Sequence, residues 1–190
     1  METEQIKQIE QINKLENKLT PIKIDYWQQY SSLHSWEFWF LLTVLVLSLI
    51  CLYLFIDRKK ALQIGFFGFN IHVWLNYLDE IAIYNELWSF PYKLIPYLPV
   101  FTFEASFVPV VFMFVYQWTI NHDKNYYLYA TGLCLILAFV WRPLLSTVDL
   151  FQVKNGINYL YVILGYLIVM VMSKWITNIF VHFEKEKKST

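Results

Sequence analysis

Ionisable side chains inside long apolar stretches are the residues of this sequence that could do chemistry. They are His72, Asp79, Glu80, Glu104 and Arg142. Charges within a membrane are costly to bury, so they normally pair, line a cavity or serve a function. A carboxyl group can exchange a proton, and a guanidinium binds carboxylates through two parallel hydrogen bonds. These residues are therefore the first candidates for a binding site.

One face of the second apolar stretch carries small and polar residues. At 100° per residue, Gly65, Gly68, His72, Asn76 and Asp79 fall within a narrow stripe. Glycines let another helix approach closely, and the asparagine and histidine offer hydrogen bonds there. We expect the stripe to be buried against other helices. The candidate binding residues are thus His72, Asn76, Asp79, Glu80, Glu104 and Arg142.

Arg142 should pair with a carboxylate, because an unpaired guanidinium in a low-dielectric site costs several kcal/mol. The possible partners are Asp79, Glu80 and Glu104, and similar depth favours Asp79. Glu104 lies ten residues after Leu94 and is expected near the midplane of the bilayer. It is then protonated, paired with a neighbouring cation, or bound to a cation or substrate.

Metal and cofactor sites are not predicted. A b-type haem needs a second histidine at the depth of His72, and His34, His122 and His182 lie at or beyond the membrane interfaces. The sequence has no CxxC, HExxH or glycine-rich phosphate motif. We therefore assign no catalytic residue and no cofactor, and whether the protein is an enzyme stays open.

The elements that hold these residues are membrane helices. The chain of 190 residues is 57% hydrophobic and 20% aromatic, as is typical of helices in lipid with aromatic belts. The predicted fold is all-α, a polytopic membrane helix bundle. Its five transmembrane helices cover about 37–56, 61–83, 94–120, 126–148 and 156–183. Three prolines in the third helix leave the alternative that it divides into two short pieces.

The ends of the chain are polar. Residues 1–34 form an N-terminal arm with a short amphipathic helix from Glu4 to Leu19, which Thr20 and Pro21 should end. This helix either lies on the membrane or the loops, or mediates oligomerisation or partner docking. The transmembrane domain is 35–183, and 184–190 are a short basic tail.

Basic residues predict the orientation of the chain. One side carries seven of them: Arg58, Lys59, Lys60, Lys124, Lys185, Lys187 and Lys188. The other side has three or four: Lys93, Lys154, Lys23 and, at the limit of the counted distance, Lys18. The positive-inside rule then places the N-terminus outside and the C-terminus in the cytoplasm.

The expected partners follow from this class. The bilayer is the first, and a second copy or another membrane protein could dock through Gly65, Gly68 or the N-terminal helix. Nucleic acid is not expected, because no basic patch interleaved with aromatic residues stands outside the apolar stretches.

Two families share short motifs with this chain. The residues Asp79, 88–91 (Trp-Ser-Phe-Pro), Pro99, Pro109 and 116–117 (Tyr-Gln) resemble an uncharacterised family of small multi-span membrane proteins from Gram-positive spore-forming bacteria. That resemblance implies the bacterial plasma membrane and no activity.

A weaker similarity, over Asp79, Trp88, Pro99, Glu104 and Phe107, is to membrane-embedded lycopene cyclases. Those enzymes have two adjacent carboxylates after the proline, whereas Ala105 follows Glu104 here.

Three functions are compatible with the sequence. The first is a membrane protein whose polar intramembrane pocket binds or moves a small solute, an ion or a lipid. The second is an accessory or assembly protein with no site of its own. The third is a membrane enzyme that acts on an isoprenoid or another lipid-soluble substrate, with Glu104 as acid or base.

Overall fold

The protein is a bundle of helices, and the predicted all-α fold is confirmed. The computed structural model describes residues 3–98, 101–154 and 156–189, with side chains through residue 186. The helices are α1 (Thr3–Tyr30), α2 (Trp36–Phe55), α3 (Ala61–Tyr84), α4 (Val108–Asn121), α5 (Tyr126–Ile136), α6 (Arg142–Thr147) and α7 (Tyr159–Ser189). Two strands of two residues, β1 (Trp88–Ser89) and β2 (Gln152–Val153), pair antiparallel.

Two π-helical segments join these helices into longer rods. The first, Phe103–Phe107, continues into α4, and the second, Leu137–Trp141, links α5 to α6. Each stands just before a proline, Pro109 in one rod and Pro143 in the other. Single π-helical turns within α-helices are rare, and many of those that occur lie at functional sites.

Among the described residues, four helical rods are long and apolar enough to cross a bilayer: Trp36–Phe55, Phe103–Asn121, Tyr126–Thr147 and Tyr159–Glu186. Helix α3 has 24 residues, roughly 36 Å, but its polar residues make it less apolar than these four. It packs against both α4 and α7, so protein rather than lipid surrounds much of its surface. The crossing of α3 as a fifth span therefore remains a prediction.

The third predicted segment becomes helical later than expected. It was predicted from residue 94, but its rod begins at Phe103. Pro96 has no N–H to donate, and a proline disfavours helical geometry in the residue before it. Residues 94–98 instead belong to the connection that follows β1 and covers one end of the bundle. Pro99 lies outside the described residues.

The buried face of α3 is centred beside the predicted stripe. Its buried residues are Ile64, Phe67, Gly68, Ile71, Leu75, Asp79 and Ala82. Of the predicted stripe, Gly68 and Asp79 are fully buried, whereas His72 and Asn76 are half-buried. Aromatic packing shifts the centre, since the Phe67 ring lies 4.3 Å from the Tyr116 ring between centroids.

The N-terminal helix is longer than predicted, because α1 continues through Pro21 to Tyr30. A proline inside a helix removes one backbone hydrogen bond, and here the freed carbonyl, that of Asn17, belongs to an exposed residue that water can reach. The last turns of α1 contact the bundle, where the Trp27 indole N–H donates to the Lys93 carbonyl oxygen at 2.8 Å.

A row of apolar side chains lies on the surface of α1. These side chains are 46–66% exposed: Ile12, Leu15, Leu19 and Ile22. The helix therefore covers the loops with one part of its surface and leaves its apolar row open.

Candidate functional site

A cluster of three buried charged side chains joins α3, the first π-helical segment and α6. The Arg142 Nη2 donates to the Glu104 Oε1 at 2.6 Å and lies 3.9 Å from the Asp79 Oδ2. Glu104 is completely buried, and Asp79 and Arg142 are 3% and 2% exposed. We call these three residues the charge cluster.

Neutral side chains add two hydrogen bonds to the cluster. The Arg142 Nε donates to the Tyr166 hydroxyl of α7 at 2.9 Å. The Trp88 indole N–H donates to the Asp79 Oδ1 at 2.9 Å, which ties β1 to the end of α3. Buried charges are tolerated only where such partners replace water, and α7 and β1 supply them here.

Aromatic rings close the cluster at this end of the bundle. The Arg142 guanidinium carbon lies 4.6 Å from the centre of the Phe151 ring and 5.1 Å from that of Phe90. Cation–π attraction is strongest when water is excluded. Phe90 follows β1 and Phe151 precedes β2, so the strand pair places both rings. We call the end of the bundle that holds this cover the capped end.

The π-helical segment and Pro109 together position Glu104. The Val108 N–H bonds to the Phe103 carbonyl, and Pro109 has no N–H to offer the Glu104 carbonyl. The His72 Nδ1 makes a hydrogen bond to that freed carbonyl oxygen, with 2.7 Å between the two atoms. Since helical carbonyls point toward the C-terminus and side chains lean toward the N-terminus, the Glu104 carboxyl is directed away from His72 and toward Arg142.

The second π-helical segment has the same relation to its proline. The Arg142 N–H bonds to the Leu137 carbonyl, and Pro143 follows directly. In both rods the segment begins six residues before the proline. The two segments also touch, because the Trp141 ring stacks against Phe107 with centroids 4.5 Å apart. This matched irregularity brings Glu104 and Arg142 to one level.

His72 has a defined tautomer in this arrangement. A carbonyl only accepts hydrogen bonds, so the His72 Nδ1 facing the Glu104 carbonyl carries the proton. The Asn76 amide, 3.0 Å from that same nitrogen, then donates to the His72 backbone carbonyl at 2.7 Å. His72 and Asn76 thus hold backbone in place, and their side chains do not join the charge cluster.

The charge cluster has one more acid than it has bases. The Arg142 Nη2 faces both carboxyl groups, 2.6 Å from the Glu104 Oε1 and 3.9 Å from the Asp79 Oδ2. The Asp79 Oδ2 and the Glu104 Oε2 are buried and have no hydrogen-bond partner among the described residues. Two ionised carboxylates cannot bond to each other, because neither carries a hydrogen. A single proton shared between them would complete both oxygens and neutralise the cluster.

The predicted partner of Arg142 is corrected by these distances. Glu104 makes the direct hydrogen bond, and Asp79, which was preferred, is the more distant acid. Glu80 is exposed and stands outside the cluster. Glu104 also lies in the first turn of its rod and not near its middle, because the rod begins at Phe103.

Sequence patterns do not reveal Tyr166, Phe90 and Phe151 as part of this site. Nothing distinguishes these rings from the many other aromatic residues of the sequence. Trp88 had one signal, since it follows Asp79 in a stretch with a family resemblance. Their role depends on the strand pair and on the contact of α7 with α3.

The charge cluster is enclosed, since none of its three residues is more than 3% exposed. Five hollows formed by described residues, of up to about 730 Å³, are all lined by residues other than Asp79, Glu104 and Arg142. In the described part of the chain, no group of three or more His, Cys, Asp and Glu side chains is placed to hold a metal ion.

The fold and the cluster define a class, a helical membrane protein with an enclosed acid–arginine–acid group. Comparison with protein-family models, with curated proteins and with solved structures finds no match.

Proposed function

We propose that this protein binds an ion within the membrane, and that the ion is a proton shared by Asp79 and Glu104 beside Arg142. The observation that carries the proposal is a pair of enclosed carboxyl groups beside one guanidinium, each with a buried oxygen that has no hydrogen-bond partner among the described residues. The enclosure of the charge cluster also supports a proton as the bound ion, since a bound proton needs no cavity. Intramembrane carboxyl groups are the usual parts of proton relays.

The cover of the cluster gives the bound proton restricted access to water. Both carboxyl groups are buried, the rings of Phe90 and Phe151 and the Tyr166 side chain lie against Arg142, and Trp88 bonds to Asp79. Proton exchange then requires the strand pair to move, which makes the capped end the gate of this site.

Infrared spectroscopy of the purified protein tests the proposal directly. We expect the wild type to show the C=O stretch of a protonated carboxyl group at neutral pH, and expect Glu104→Gln and Asp79→Asn to lose it. Glu80→Gln is the matched control, because Glu80 is the exposed neighbour of Asp79 in sequence. Absence of the protonated band from the folded wild type would contradict the proposal.

Proteoliposomes that enclose a pH-sensitive dye test whether the proton also moves. We expect a proton flux under an imposed potential that Glu104→Gln removes and Glu80→Gln retains. A protonated band without flux would restrict the function to proton binding.

The accessory or assembly protein is the second candidate, and the open apolar row of α1 supports it. In that case the charge cluster only ties helices together. Cross-linking of the wild type in native membranes, compared with a variant in which Leu15 and Leu19 are changed to Gln, separates the two. A loss of cross-linked partners with an unchanged infrared band would support this candidate.

The enzyme hypothesis has less support. A substrate needs space beside Glu104, and the hollows found among the described residues lie elsewhere.

We propose that the chain lies in the bacterial plasma membrane with its N-terminus outside. The family resemblance supports the location. The grouping of Arg58, Lys59, Lys60, Lys124 and Lys185 at one end of the bundle supports the orientation. Tags after Thr3 and after Lys188, exposed to an impermeant protease on intact cells, provide the measurement. We expect cleavage of the first tag only, and protection of it would reverse the topology.

A further inference from the structure

The end of the bundle opposite the charge cluster carries an open groove. The turn between α2 and α3 meets the turn between α4 and α5 there, since the Lys60 Nζ donates to the Asn121 Oδ1 at 2.7 Å. The C-terminal part of α7 ends at the same level. We call this the basic end. A groove of about 730 Å³ separates the start of α3 from the last turns of α7.

The floor of the groove is apolar. It contains Leu62, Phe66 and Phe180, and the two phenylalanine rings pack with their centroids 4.9 Å apart. Leu62 is 88% exposed and Phe180 is 56% exposed. If α3 crosses the membrane beside α7 as predicted, this floor faces acyl chains and not water. Its composition fits hydrocarbon.

The rim of the groove is basic. Lys59, Lys60 and Lys185 line it, and Glu184 is the one acid among its lining residues. None of the three ammonium groups lies within salt-bridge distance of a carboxylate of a described side chain. Lys60 bonds only to neutral oxygens, those of Ile120 and Asn121. Positive charge at the rim is therefore in excess.

A fourth ammonium group stands behind the groove. Lys174 lies three residues before Thr177, which lines the groove, and so shares its face of α7. The Lys174 Nζ sits 4.5 Å from the centre of the Tyr116 ring. The Tyr116 hydroxyl in turn accepts from Gln63 in the groove wall at 2.6 Å. This cation adds to the positive potential at depth.

We infer that the groove binds one anionic phospholipid, with the headgroup phosphate on Lys59, Lys60 and Lys185 and an acyl chain along Phe66 and Phe180. The order of charges above an apolar floor matches the order of headgroup and hydrocarbon in a leaflet. Basic pockets between membrane helices select anionic lipids in this way. A free phosphate would use the rim and leave the floor unused, so the floor identifies a lipid. The site is separate from the charge cluster and does not depend on the proposed proton.

Native mass spectrometry of the full chain in detergent tests the inference, with phosphatidylglycerol and phosphatidylcholine of the same acyl chains as probes. We expect one phosphatidylglycerol to bind well above the level of phosphatidylcholine. In the variant with Lys59→Gln and Lys185→Gln we expect its affinity to fall about 30-fold, since each lysine near a membrane surface contributes about a factor of five. Both lysines are exposed, so the fold should persist, and a thermal melt checks this.

The matched control is Arg58→Gln with Lys124→Gln, which removes two exposed charges from the same end outside the groove. We expect this control to lose less than about threefold. Phe180→Ala should weaken phosphatidylglycerol binding, because it removes part of the apolar floor. It should not change the binding of inorganic phosphate to the rim lysines.

Three outcomes would overturn the inference. The first is equal binding of the two lipids, and the second is an equal loss in the control and the groove variant. The third is displacement of phosphatidylglycerol by millimolar inorganic phosphate, which would assign the rim to a free anion.

Discussion

The capped end encloses one guanidinium between two carboxyl groups, whereas the basic end exposes three lysines and one acid around an open groove. At the capped end Arg142 lies within 4 Å of two carboxyl groups and is 2% exposed. At the basic end Lys59, Lys60 and Lys185 border about 730 Å³ of open volume. Paired charges without space suit a proton or a structural tie, and unpaired charges with space suit a ligand. The charges of the capped end lack space for a ligand, and the lysines of the basic end lack carboxylate partners among the described side chains.

Removal of the central cation should have the largest effect. Arg142→Met leaves two acids buried without a counter-ion and should lower the free energy of unfolding by about 3–5 kcal/mol. Lys59→Met at the basic end should change it by less than about 0.5 kcal/mol, because Lys59 is exposed. Denaturation in detergent micelles measures both.

The double variant Arg142→Met with Glu104→Gln sharpens this result, since it should regain part of the loss. Additive effects of the two substitutions would show that the pair contributes no coupling energy.

Packing density should differ between the middle of the bundle and the basic end. A Cβ at Gly68 would collide with the Met113 side chain, whereas a Cβ at Gly65 would meet no described atom within 4 Å. Gly68→Ala should therefore destabilise the protein by about 1–3 kcal/mol. Gly65→Ala should be neutral or slightly stabilising, because alanine favours a helix. Equal effects in thermal melts would contradict the packing of α3 on α4.

Loss of one acid should cost much less than loss of the arginine. Glu104→Gln keeps the shape of the side chain and an acceptor for Arg142, and Asp79 remains as the counter-ion. We expect a loss of about 1 kcal/mol for this variant. A cost as large as that of Arg142→Met would mean that Glu104 alone balances the charge of Arg142 and that Asp79 does not replace it, which would contradict the shared proton.

The stability of the protein should depend weakly on pH through Lys93, which lies in the loops of the capped end and not at the basic end. Burial, together with the nearby charge of Lys23, lowers the pKa of Lys93, which Glu80 offsets in part. The unfolded chain then binds more protons than the folded protein between the lowered pKa and the ordinary value of 10.5. Stability should rise with pH across that window.

The matched variant for this effect is Lys93→Met, and denaturation at a series of alkaline pH values is the measurement. An unchanged pH slope in Lys93→Met would assign the effect to another group.

Several features followed from the sequence because they depend on local chemistry. Apolar stretches without charges become helices whatever their neighbours, and α2, α3 and the rod Tyr126–Thr147 lie close to the predicted ranges. The need of Arg142 for an acid also followed, since the cost of an unpaired buried charge holds in any fold. The prolines of the third predicted segment indicated an irregular helix, and the structure shows that His72 bonds to the carbonyl that Pro109 leaves free.

Only the tertiary structure decided which acid pairs with Arg142, because the choice between Asp79, Glu80 and Glu104 depends on where each rod begins and how it rotates. The π-helical segments turn Glu104 toward Arg142, and no residue pattern announces a segment of that kind. The partners Tyr166, Phe90 and Phe151 come from distant parts of the chain. The groove of the basic end is likewise a gap between α3 and α7, and a gap is a property of packed helices rather than of either sequence.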